Sequence, residues 1–282
     1  MNETLLTLRD SRRLSYAVYG DPNGVPVLLF HGTPGSRFDG KLVDEERLRG
    51  IRLVVPERPG YGLSDSKDNR LLMDCIKDVA HLAEHLELDN FFVIGISGGS
   101  PYALACAEKM ADQVIGVAVI CGLGPLDYPG AMEGFSQEDQ MVMKGDESAL
   151  LKKKRIIEAI HAQPEAILES LDKHTEFDSL LITPRLSKVF LYSMKEATRS
   201  SEGIISDSLI QAKPWNVSFE QITSPVYFWH GDHDKLVNIR HAKHLSKKIP
   251  NTQLNIIEGA GHFGATITGL NSALDHFKNR SD

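Results

Sequence analysis

Short unbroken apolar runs recur along this chain, each separated from the next by a longer, more polar stretch: Val25–Phe30, Ile51–Val55, Phe91–Ile96, Val114–Ile120, Val226–Trp229 and Leu254–Ile257. A strand with one wet face alternates apolar and polar residues. A continuous apolar run instead suits a strand covered on both faces, the condition of a parallel sheet with helices above and below it. The clearest intervening helix carries Leu72, Cys75, Ile76, Val79, Leu82, Ala83 and Leu86 on one stripe, ending just before the run at Phe91. Upstream, the β-prone runs Thr4–Leu8 and Leu14–Tyr19 predict a hairpin, and Asp21-Pro22-Asn23-Gly24 a turn. The expected class is α/β, with a mainly parallel central sheet flanked by helices.

The alternation stops between Leu126 and Lys213, where charges and helix-favouring runs such as Ser148–Ala162 and Pro184–Thr198 replace apolar strands. This predicts a core built from residues 1–125 and 214–282, and a helical cap over 126–213 inserted after the sixth strand. Its Met132, Phe135, Met141, Met143, Phe177, Phe190, Tyr192, Met194 and Trp215 either line a pocket under a lid or pack the insertion's own core. With 282 residues, 41% hydrophobic and 24% charged, the chain has the composition of a soluble globular protein able to bury a large core. A net charge of −7 argues against nucleic acid as partner, and the one basic run, Lys152–Arg155, reads as a solvated helix face. Cys75, Cys106 and Cys121 lie in apolar segments without CxxC spacing, which predicts reduced core thiols and a cytoplasmic location. No signal peptide and no membrane span is expected, so the sequons at Asn2 and Asn216 are read as unused.

Chemistry enters at Gly95-Ile96-Ser97-Gly98-Gly99, a GxSxG pattern placed directly after a buried strand and before the helix-forming Pro101–Ala107. In that setting the pattern predicts a sharp strand-to-helix turn that lifts the Ser97 hydroxyl above the sheet, with Gly95 and Gly99 letting strand and helix pass closely. A serine hydroxyl attacks only when a base removes its proton, and the base needs an acid to hold its tautomer. Downstream, Gly231-Asp232-His233-Asp234 follows a late strand and Gly261-His262 follows the last one, both at strand carboxyl ends. His262 is then the base, with Asp232 or Asp234 as its acid. The oxyanion formed at an attacked carbonyl needs backbone donors, expected from Gly98 and from Thr33 in the His31-Gly32-Thr33-Pro34 loop after the first long strand. His31 reads as a loop brace, not as a base, and the Thr33 hydroxyl as either pocket-facing or structural. The histidines at 230, 233, 241 and 244 lack zinc-hydrolase spacing, so no metal is predicted, and no GxGxxG suggests a dinucleotide.

Together His31-Gly32, the segment from Pro56 to Ser64, the Ser97 turn, Gly231–Asp234 and Gly261-His262 resemble, in order and interval, the α/β-hydrolase fold superfamily of the serine-nucleophile type with a helical cap. The resemblance runs from about Leu14 to Phe277. It implies no cofactor, a small-molecule substrate, and Asp234 as the acid, three residues after Gly231. Glu57 stands where the family usually has an Asp that braces the loop. Ser97 sets the chain apart from the relatives with an aspartate nucleophile, and Ser97-Gly98 with His-Gly-Thr-Pro-Gly departs from the proline iminopeptidase pattern. A carboxylic ester hydrolase leads. Carbon–carbon bond hydrolases, perhydrolases, aminopeptidases of the same fold and ligand receptors that keep the triad are the alternatives, and the oligomeric state is left open.

Overall fold

The computed structural model describes residues 4–165 and 175–280, so the sequon at Asn2 and part of the 126–213 insertion lie outside the described residues. Its strands are β1 (Thr4–Thr7), β2 (Arg13–Gly20), β3 (Val25–Phe30), β4 (Ile51–Pro56), β5 (Phe91–Ile96), β6 (Val114–Ile120), β7 (Val226–Gly231) and β8 (Thr252–Ile257). They form one sheet in the order β1-β2-β4-β3-β5-β6-β7-β8. The hairpin β1–β2 and the β2–β4 pair are antiparallel, and every other neighbour is parallel. The apolar runs at β3 to β7 become strands because both faces are covered, and all six residues of β5 are buried.

The helices α1 (Leu72–His85), α2 (Ser100–Lys109), α8 (Arg240–Lys248) and α9 (His262–Lys278) flank the sheet. One face packs α1, α2 and α8 residues such as Leu82, Leu104 and Leu245 against Val93, Val117 and Phe228. The other packs α9, with Phe277 stacked on Phe92 at 4.2 Å between ring centres. Between β6 and β7 the described residues form α3 (Gln137–Met143), α4 (Glu147–Ala162), α5 (Glu176–Leu181), α6 (Pro184–Ala197) and α7 (Glu202–Gln211), with no strand among them.

The strand order places the site. From β3 the chain moves outward to β4 and then crosses back to β5, so β3 is flanked by two strands whose connections leave in opposite directions. At such a switch point the loops at the strand carboxyl ends diverge and leave a crevice. The loops after β3 and β5 open into it.

Candidate active site

At the end of β5 the chain turns sharply, and Ser97 takes φ +51, a left-handed conformation that a non-glycine residue adopts only when its surroundings enforce it. The enforcement is local. A side chain on Gly95 would meet Ala103 and the Ser100 backbone at 2.7 and 2.8 Å, and one on Gly99 would collide with the Phe30 carbonyl. Ser100 locks the turn from the other side, its hydroxyl donating to the carbonyls of Ser97 at 2.8 Å and Leu123 at 2.6 Å.

The loop after β8 brings His262 to the first turn of α9, and the loop after β7 brings Asp234 beneath it. Nδ1 of His262 lies 2.7 Å from Asp234 Oδ2. The same carboxylate accepts from the backbone N–H groups of Leu236 and Val237, both at 2.9 Å, and lies 3.4 Å from His230 Nε2. Burial raises the cost of its charge, yet the His262 and His230 rings and these hydrogen bonds hold its pKa below the usual carboxylate range. For His262, burial disfavours the protonated ring. The Asp234 charge and hydrogen bond outweigh that, with a further contribution from Asp178, and its pKa rises above the ordinary imidazole value. Asp232 is placed elsewhere: it is exposed, and it contacts His233 and the Gly259 amide.

Ser97, His262, Thr33 and Gly98 all line one cavity of about 590 Å³. Thr33 and Gly98 are immediate neighbours, since a side chain on Gly98 would strike the Thr33 hydroxyl. That hydroxyl is already hydrogen-bonded within the protein. It donates to Asp207 at 3.1 Å and accepts from Arg58 at 3.0 Å. His31 is fully buried, with Nδ1 2.9 Å from the Gly32 carbonyl. Burial, with Arg58 beside it, pushes its pKa well below the ordinary value, so the ring stays neutral. Gly32 lies against the same turn, its added side chain 3.8 Å from the Ser97 Cβ.

Beneath the Thr33 loop lies a charged network that sequence patterning did not disclose. Asp207 of α7 is wholly buried, and one carboxylate oxygen accepts from Arg58 Nε at 2.8 Å, Tyr61 at 2.8 Å and Thr33. The other accepts from Tyr102 at 2.6 Å and from Arg70. Burial works against its charge, but Arg58 and Arg70 hold its pKa below the usual range. Arg58 also donates to the carbonyls of His31 at 2.5 Å and Gly32 at 2.8 Å, fixing the loop's path. Gln211, one turn further along α7, donates to the Gly98 carbonyl at 2.9 Å. Glu57 is buried in an ion pair with Arg37 at 2.8 Å and accepts from the Leu63 amide at 3.0 Å.

The cavity walls are mostly apolar. Phe135, Met143, Phe190 and Met194 line the cavity, while Trp215 packs in the sheet core and Met141 and Tyr192 face solvent. One basic residue departs from the expected solvated face: Lys153 reaches the cavity and pairs with Asp139 at 3.0 Å. The carboxylates among the described lining residues are Asp139 and Asp39, the latter pushed up by burial to a pKa of about 6 and hydrogen-bonded to Ser193. Cys121 sits beside the pair, its thiol, Asp234 and His262 offering atoms within 4.8 Å of one another. Burial, with the Asp234 charge near it, drives the thiol's pKa well up, so it stays protonated beside the pair.

Residues 25–265 match the family model described as alpha/beta hydrolase fold. The chain belongs to that family. It is 24% identical to a putative proline iminopeptidase of Mycoplasma genitalium, over 94% of this chain and 93% of that one. An uncharacterized hydrolase of Bacillus subtilis is 23% identical, over 90% and 89%. Among solved structures, a thermophilic esterase from Thermogutta terrifontis superposes with a TM-score of 0.72 at 21% identity, over 99% of both chains. These identities carry the α/β-hydrolase fold across and leave the choice of substrate to the site.

Proposed function

We propose that this chain is a serine hydrolase that transfers the acyl group of a small, mainly apolar carboxylic ester through Ser97, His262 and Asp234, with residues 126–213 as the cap over the site. The observation that carries the reading is the opening of the strained Ser97 turn and of His262, hydrogen-bonded behind to Asp234, into one mainly apolar cavity. Because Asp234 is ionised, Nδ1 of His262 donates to it, and Nε2 is left as the base. Nε2 takes the Ser97 proton while the oxygen attacks the ester carbonyl. The Thr33 and Gly98 amides hold the resulting oxyanion, and the alcohol leaves with the proton from His262. Water, deprotonated by the same ring, then attacks the acyl-serine and releases the acid.

The cavity's charges bear on the substrate. A peptide's free amino terminus is a cation that, once desolvated, needs an uncompensated carboxylate. Among the described lining residues Asp139 is neutralised by Lys153, while burial opposes the charge of Asp39 and its carboxyl is already engaged by the Ser193 hydroxyl and the Ser36 and Gly32 backbone. This supports a neutral substrate over the aminopeptidase activity named for some relatives. A panel of short and medium p-nitrophenyl esters and aminoacyl anilides, run with wild type and Ser97→Ala, tests it. Faster turnover of neutral esters, abolished in Ser97→Ala, is expected. A preference for anilides would replace the ester reading with an aminopeptidase, and silence on every substrate would replace it with ligand binding or carbon–carbon hydrolysis.

A further inference from the structure

The loop that carries His262 is held by the cap as well as by the sheet. Asp178 stands in α5, its own amide fixed by the Thr175 hydroxyl at 3.0 Å, and its side chain is completely buried. Oδ1 accepts from two backbone amides, Gly261 and Gly264, each at 2.9 Å. These are the cap residue and third residue of α9, on either side of His262. Gly261 has no side chain with which to cap the helix, and Asp178 supplies the missing acceptor from another part of the chain. The two glycines form a cradle for it, because a side chain at either position would collide with the Asp178 carboxylate.

Placing His262 in the first helical turn has an electrostatic cost. The amides of that turn carry partial positive charge, which disfavours the imidazolium that must form when Ser97 is deprotonated. A carboxylate seated on those amides offsets this. We infer that Asp178 is a positioning residue of the cap, which fixes the backbone on both sides of His262 and stabilises its protonated form. The inference rests on His262 acting as the base. Among the described residues, the titratable groups near that ring are Asp234 from the loop after β7, itself beside His230, Cys121 after β6, and Asp178 from α5, and of these only Asp178 comes from the cap. Seating of α5 and readiness of the base are therefore coupled, so displacement of the cap slackens the His262 loop.

The test follows the rate at which an organophosphonate labels Ser97, measured against pH, in wild type, Asp178→Asn, Asp178→Ala and His262→Ala. Asn keeps an acceptor in the cradle and removes the charge. Its rate profile is expected to move toward lower pH by several tenths of a unit, because the ring loses a partner that favours its protonated form. Its plateau should fall about 3- to 10-fold, and that of Asp178→Ala about 10- to 100-fold, the latter by analogy with the loss found when the partners that orient metal-ligating histidines are removed. Unchanged midpoint and plateau in Asp178→Asn would overturn the positioning role, as would loss of the folded state in both Asp178 variants, which would make the carboxylate a structural support alone. Undiminished labelling in His262→Ala would instead remove the base assignment on which the inference stands.

Discussion

His262 has two carboxylates within two residues of each other in the β7 loop, and the geometry separates their roles: Asp234 is buried on Nδ1, while Asp232 sits exposed against His233. Asp234→Asn should therefore lower turnover by orders of magnitude by allowing the wrong tautomer, with Asp232→Asn costing little. The same pair sets the pH dependence. The base works as the neutral ring, and Asp234 holds its pKa above the ordinary value of about 6.5, so activity should fall on acidification through a midpoint above that value. Steady-state rates on one ester between pH 5 and 9 check both points, and an equal loss in the two variants would mean that the acid is shared or misassigned. The proposed residues stand out in the sequence because Ser97, Asp234 and His262 each lie in a glycine-containing loop at a strand end. Lys153 departs from the solvated face expected of Lys152–Arg155, and its helical position carries the signal. It lies on one helical stripe with Ile156, Ile157 and Ile160, all four of which line the cavity, while Lys152, Lys154 and Arg155 face solvent.

The strands, the hairpin and the long helices followed their periodicity, because apolar continuity and helical stripes record burial directly. What the pattern could not convey is how the elements of the cap meet the core. Asp207 sits between Ile204 and Ile210 on the buried side of α7, an acid on an apolar stripe, but nothing local names Arg58 and Arg70 as its partners. Likewise α5 spans only Glu176–Leu181, too short for any stripe to announce that Asp178 turns inward. Removing the carboxylate in Asp207→Ala leaves two buried guanidinium groups uncompensated, a change that costs about 3–5 kcal/mol. Urea unfolding at pH 7 should show that loss. The folded pKa of Asp207 is depressed, so its contribution is present above the usual carboxylate range and disappears only as the pH falls through the lowered value. The gap between wild type and variant should therefore narrow only in strong acid. A variant as stable as wild type at pH 7 would mean that the network is not holding α7 to the core.

On the scale of the whole molecule, the sheet brings Thr33, Ser97, Asp234 and His262 to the carboxyl ends of its strands, and residues between β6 and β7 line the cavity there. Two buried carboxylates of that segment reach the site from opposite sides, Asp207 toward the Thr33 loop and Asp178 toward the His262 loop. On the proposed function, the segment that serves as cap is thus part of the scaffold of the site as well as its roof. The fold was legible from one sequence because both periodicity and loop motifs repeat along the chain, whereas cavity polarity depends on side chains converging from distant segments. The proposed activity stands on Ser97 as a nucleophile activated by His262. Treating the folded protein with an organophosphonate and mapping the modified peptide tests it most directly. One adduct, on Ser97, is expected, formed in wild type and strongly slowed in His262→Ala; an adduct on another serine, or none on folded protein, would rule this nucleophile out.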